Sequence, residues 1–169
     1  MRTVHSVALT TMLALLLSQT VTQQRVSAGS PPQSPGAEIV RSAALSWVPS
    51  ELPRVELAVV SGDPAKAGEI FVLRVRMQND ARFPVHTHPG AENVTVIKGT
   101  LLVGIGDEFD AAKGQALAVG DFVRIPGGLR HFAQANGEVV IEVSGLGPFA
   151  IQYVNPADVP AKAPPKAKP

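Results

Sequence analysis

This sequence predicts an all-β domain, a closed double-sheet β-barrel of the jelly-roll kind, and three observations carry the prediction. Short runs of Val, Ile, Leu and Phe recur at the spacing of strands in a sandwich or barrel. Glycine and proline, 15 of each in 169 residues, separate those runs with turn signals. No stretch between them carries the three-to-four-residue apolar period of an amphipathic helix. With 45% hydrophobic residues, the chain has the composition and length of one domain with its own core.

The first segment is not part of that barrel. Residues 1–28 read as a secretory signal, with Arg2 as the positive start, Val7 to Leu17 as the apolar run and Val26-Ser27-Ala28 as a small-residue cleavage site. The apolar run is too short to span a bilayer, so a retained anchor is the competing reading and no stable membrane anchor is expected. There is no cysteine for a disulfide or a lipid, and no twin-arginine pair, which implies export as an unfolded chain to the periplasm or the exterior. Of 15 basic residues, Arg2 and Arg25 leave with the signal, so 13 stand against 14 acidic ones. A near-neutral surface without a basic stripe excludes nucleic acid as a partner class.

Residues 29–37 form a Ser/Pro/Gly linker, and a single domain is expected over 38–156. Trp47, the only tryptophan, sits among Leu45, Val48 and Leu52 and reads as a core or subunit-contact residue. Strands are expected at 55–60 and 70–78. In the second of these, Phe71, Leu73, Val75 and Met77 share one face, while Val72, Arg74, Arg76 and Gln78 share the other. Two arginines on the polar face read as solvated, with a pocket for an anionic substrate as the alternative. Further strands follow at 94–97, 101–105, 116–119, 122–125, 131–134, 139–144 and 149–154. Gly104-x-Gly106 lacks the third glycine and the following helix of a dinucleotide loop. Residues 157–169, rich in Ala, Lys and Pro, cannot build a core and read as a tail.

Chemistry concentrates in one stretch. His86, His88 and Glu92 fall within seven positions, and the x-spacing of the two histidines puts both rings on one face of a strand. Pro89-Gly90 turns the chain before Glu92 brings an oxygen ligand at the head of the next strand. His131 follows the turn-rich Pro126-Gly127-Gly128 and should open a strand facing the first. Outside the signal segment these are the only histidines, so all three belong to one constellation.

The pattern His86-x-His88-x3-Glu92-x6-Gly99 resembles the first motif of the cupins, and Gly120-x5-Pro126-x-Gly128-x2-His131 resembles the second. Residues 100–119 stand as the variable link between them. Where cupins usually carry a glycine before the first histidine, this chain has Asp80, and in place of a late asparagine it has Ala135 followed by Asn136. Asn and Asp tolerate left-handed backbone, so Asn79-Asp80 can still make the bend. The flanks at 61–64 and 153–156 also look like those of small exported single-domain cupins.

The resemblance implies a metal held by His86, His88, Glu92 and His131. Three imidazoles and a carboxylate suit one divalent transition metal, with Zn or Cu favoured by affinity and Fe, Mn or Ni also compatible. Four protein ligands leave two positions of an octahedron for a small-molecule ligand or substrate. The family resemblance implies a metal-dependent enzyme, an oxygenase or a lyase or isomerase, acting on an oxygen-rich small molecule, and a homodimer paired through strand edges. A small-ligand or metal-binding protein, and a metal that only staples or regulates the fold, are the alternatives. Val94, Val96, Phe122 and Phe132 are expected to keep water from the site. No catalytic residue is assigned: Tyr153, Glu142 and Arg124 are candidates that sequence alone does not place in a pocket.

Overall fold

The computed structural model describes residues 36–160. The signal segment, most of the linker and the tail beyond residue 160 lie outside the described residues. Within them are nine strands: β1 (Val48–Pro49), β2 (Val55–Ser61), β3 (Ile70–Met77), β4 (Arg82–Thr87), β5 (Glu92–Ile105), β6 (Gln115–Leu117), β7 (Phe122–Ile125), β8 (His131–Leu146) and β9 (Gln152–Tyr153). The helical content of the described residues is three short 3-10 turns, at Ser42–Ala44, Ala111–Lys113 and Pro156–Asp158.

Two long strands organise the rest. The runs expected as separate strands at 94–97 and 101–105 are one strand, β5, and those at 131–134 and 139–144 are one strand, β8. These two pair antiparallel along nearly their whole length, from Glu92 opposite Gly145 to Ile105 opposite His131. The ladder slips between Val96 and Thr100, where both chains bend. Gly99 on one strand and Gly137 on the other take positive φ there, +78° and +77°. A side chain at Gly99 would also fall on the Glu138 carbonyl, so only glycine lets the strands cross at the bend.

The bend divides the sheet into two leaves. In one, the C-terminal half of β8 pairs with β3, which continues through β2 to β1, while the first residues of β5 pair with β7. In the other, the N-terminal half of β8 pairs with β4, then β9, and the end of β5 pairs with β6. The leaves curl over a shared core, as the all-β reading requires.

Alternation decides which residues enter that core. Phe71, Leu73, Val75 and Met77 are buried on the inner face of β3, joined by Val94 and Val96 of β5 and Val139, Ile141 and Val143 of β8. Fully burying a side chain of this size contributes about 1.5–3 kcal/mol. On the outer face, Arg74 pairs with Glu142 at 2.7 Å and Arg76 with Glu56 at 2.6 Å, each directly across the ladder. Trp47 is half-buried under the Arg76 guanidinium, 4.5 Å from the ring centre, and is no part of the inner core. The Asn79-Asp80 bend forms as its residue types allow: Asp80 takes φ +60°, its N–H donates to Ala135 O, and Asn79 Oδ1 accepts from Gly137 N at 2.8 Å.

Candidate metal centre

Three strand ends bring four side chains together at one end of the core. His86 is the penultimate residue of β4 and lies directly across the ladder from His131, which opens β8. His88 stands just beyond the end of β4, two residues on and on the same side. Glu92 opens β5, flanked by Ile125 of β7 and Gly145 of β8. The Pro126-Gly128 turn closes on the first histidine pair: Gly128 N–H donates to His88 O at 2.9 Å. Gly127 leaves room there, since a Cβ would reach the Pro89 carbonyl at 2.6 Å.

The four side chains offer donor atoms that all lie within 4.8 Å of one another, and every one is buried. Each imidazole is oriented in the same way. His86 Nδ1 donates to Pro84 O at 2.6 Å, His88 Nδ1 to Ala150 O at 2.8 Å and His131 Nδ1 to Leu129 O at 2.9 Å. A carbonyl oxygen only accepts, so each Nδ1 carries its proton and each neutral ring turns an Nε2 lone pair inward. Phe149 stacks on His88 at 4.4 Å and fixes that ring from the other side.

This arrangement fits a cation. Glu92 Oε1 lies 2.9 Å from His131 Nε2 and 3.5 Å from His88 Nε2, yet His131 Nε2 has no hydrogen-bond partner. Ligands about 2.1 Å from a shared ion stand roughly 3.0 Å apart at right angles and 3.4 Å apart in a tetrahedron. Buried, electron-rich atoms at such distances need a positive centre between them. Burial opposes the charge on Glu92, but the facing His131 and His88 outweigh it and hold the carboxyl at about 2. Burial, with His131 beside it, lowers His86 to about 4, so its ring is neutral at neutral pH and free to act as a ligand.

Above the four donors opens a cavity of about 800 Å³. Leu73, Val75, Leu101, Val103, Ile141 and Phe149 line much of it. Two of the residues expected to shield the site do not. Phe122 is 58% exposed, and Phe132 sits on the opposite face of β8 from His131, over Gly104 and against Phe109. A shift of one residue along a strand reverses the face, so their aromatic character says nothing of where they point. Val94 lines the cavity as expected, while Val96 is buried beyond it.

Of the three acid-base candidates, Tyr153 alone borders the cavity. It lies across the ladder from His86, its ring 6.3 Å away, and burial raises its phenol above the ordinary value. Glu142 is paired with Arg74 on the outer face and Arg124 is exposed. Phe149 and the carbonyls of Pro84, Leu129 and Ala150 escaped the sequence reading. A stacking ring can be sought by its type, whereas a carbonyl is carried by every residue.

Residues 73–144 match the family model described as Cupin domain. Among curated proteins, germin-like protein subfamily 2 member 1 of Arabidopsis thaliana is 44% identical over 61 residues, 36% of this chain and 28% of that protein's length. The polyketide cyclase RemF from Streptomyces resistomycificus superposes with a TM-score of 0.60 at 13% identity, covering 71% of this chain and 87% of that one. A cupin 2 conserved barrel domain protein from Rhodopseudomonas palustris gives 0.55 at 16%, covering 68% and 81%. KdgF from Halomonas sp. gives 0.53 at 19%, covering 66% and 96%. At these identities the structural likeness shows a shared fold.

Proposed function

Because this chain carries a cupin domain, we propose that it is a metal-dependent enzyme acting on a small molecule that reaches the ion through oxygen atoms. One observation carries the reading: three imidazoles pinned through Nδ1 and one ionised carboxylate converge at the floor of a cavity large enough for a substrate. A divalent transition metal, when bound there, supplies Lewis-acid chemistry, and electron transfer if it is redox-active.

The chain's own residues do the rest. Pro84, Leu129 and Ala150 hold the three rings in the tautomer that presents Nε2. Glu92 offsets one unit of charge and stays ionised without a strong acid nearby. The apolar walls exclude bulk water and so sharpen every charge-dipole interaction inside. Tyr153 is the one hydroxyl-bearing ring on the cavity wall near His86, placed to hold or donate a proton toward a bound molecule. Intrinsic affinity at a nitrogen and oxygen site favours Cu and Zn over Fe, Mn and Ni. A site that only stapled the fold would need no cavity of this volume above it. A binding protein that captures its ligand through the same ion is the second reading, favoured by the scarcity of acid-base groups beside Tyr153.

Export after cleavage near Ala28 and assembly as a homodimer belong to the same proposal. They rest on the N-terminal sequence and on the edge of β1, which among the described residues pairs with β2 alone. The test is metal analysis of protein recovered from its native compartment, followed by turnover assays on wild type and Glu92→Gln, with oxygen uptake and product formation measured together. Turnover that depends on the ion and falls in Glu92→Gln supports the reading. Equal activity in a Glu92→Gln protein that has lost its metal overturns it.

A further inference from the structure

Resting on the metal reading of His86, His88, Glu92 and His131, we infer that the molecule taken into the barrel is predominantly apolar and ring-bearing, with its oxygens gathered at one end and no anionic group elsewhere. Small sugars and polyacids, which an oxygen-rich substrate class would include, are excluded by the walls.

The cavity, about 800 Å³, is in the range that encloses most of a drug-sized molecule. Its polar side chains are the four buried donors, the Tyr153 hydroxyl, and the more exposed Ser46, Ser50 and Glu51. Most of the remaining wall is apolar, with Leu57, Leu73, Val75, Leu101, Val103 and Ile141 among its residues. Among the described residues, no lysine or arginine lines it. Arg74 and Arg76, neighbours of Leu73 and Val75 in β3, point to the outer face and are held there by Glu142 and Glu56.

Two consequences follow for the ligand. A second anionic group would sit in an apolar wall that holds no counter-charge among the described residues, and the Glu51 carboxylate on the lining would repel it. A sugar would surrender the water around each ring hydroxyl without gaining a partner, at roughly tenfold in affinity per hydroxyl. An apolar ring instead gains from the same wall. A fused benzene ring that buries about 60 Å² more should strengthen binding by on the order of tenfold.

The test uses the full chain loaded with zinc and a matched set of chelators titrated by calorimetry: catechol, 2,3-dihydroxynaphthalene, 3,4-dihydroxybenzenesulfonate and gluconate. The naphthalenediol should bind about tenfold or more tightly than catechol, with the sulfonate and gluconate weaker than catechol. Leu57→Asp, at a partly buried wall position that is none of the four donors, should remove that preference while zinc affinity stays unchanged. A metal-free arm follows the fluorescence of neutral N-phenyl-1-naphthylamine, which should rise on mixing with wild type and less so with Leu57→Asp. Zinc binding without preference for the second ring, or with the sulfonate or gluconate bound tightest, overturns the inference and leaves the metal reading standing. Failure of zinc to bind at all removes the metal reading and the inference together.

Discussion

His88 shows how much of the site hangs on single side chains. Its ring is gripped between the Ala150 carbonyl and the face of Phe149, yet nothing of the inner core depends on it. Replacing His88 with Ala should therefore lower metal affinity by well over tenfold while the protein still folds, as metal content and melting temperature measured side by side will show. Unfolding of the variant where wild type stays folded would mean that metal binding free energy is folding free energy here. Titration of the metal-free protein gives a second outcome. His86 is lowered from 6.5 to about 4 and Glu92 from 4.5 to about 2. In both windows the unfolded chain binds the proton first, so both groups remove stability as pH falls. The loss through His86 runs from about pH 6.5 to 4 and is on the order of 3 kcal/mol, and that through Glu92 begins near pH 4.5. Urea midpoints of metal-free protein should drop steadily from pH 7 to 4, and midpoints that stay level would contradict the buried, neutral state of His86.

At the scale of elements, the bend of β5 and β8 is the part most exposed to mutation. Gly99 and Gly137 share a positive φ, but a Cβ at Gly99 meets the Glu138 carbonyl whereas one at Gly137 meets open space. Gly137→Ala should cost about 1–2 kcal/mol, the left-handed backbone penalty alone. Gly99→Ala should cost clearly more, because backbone must move as well. Equal denaturation midpoints for the two variants would show that the strands relax freely at the bend. Phe149 belongs to this scale too, because the segment after β8 returns to cover the site: its amide donates to Pro64 O, its ring stacks on His88, and the next carbonyl holds the Nδ1 of that histidine. Phe149→Ala should weaken metal binding by about 10–100-fold without touching a ligand, the size expected when a ligand loses the group that orients it.

For the whole molecule, the balance between core and ion decides whether metal is needed to fold. Sixteen buried apolar residues from five of the nine strands and their connections form one continuous cluster, which should keep the metal-free barrel folded. Zinc at a hundred times its dissociation constant should then add about 2.7 kcal/mol of stability, a rise of several degrees in melting temperature that a chelator reverses. An unchanged melting temperature at saturating zinc would show that the ion does not prefer the folded state.

Much of this was legible in the linear chain, for local reasons. The alternation in 70–78 assigned the two faces of β3 because side chains reverse at every residue of a strand, and the ion pairs of Arg74 and Arg76 stand on the face so assigned. Asp80 takes left-handed backbone at a bend, as its residue type allows. His86, His88, Glu92 and His131 were readable as a group because candidate metal ligands are defined by side-chain type and spacing, and the structure brings the four together. What only the tertiary structure decided depends on register and on backbone. Residues 92–105 and 131–146 form two bent strands instead of four short ones, with Gly99 and Gly137 in positive φ where their shared ladder slips, a register set by contacts distant in sequence. Phe132 turned away from the site by a single residue of register from His131. The carbonyls that fix the three imidazoles belong to Pro84, Leu129 and Ala150, but any residue there would offer the same oxygen, so no side chain announces them. The cavity, too, is a volume left between packed strands, and it exists only once the leaves have closed over one another.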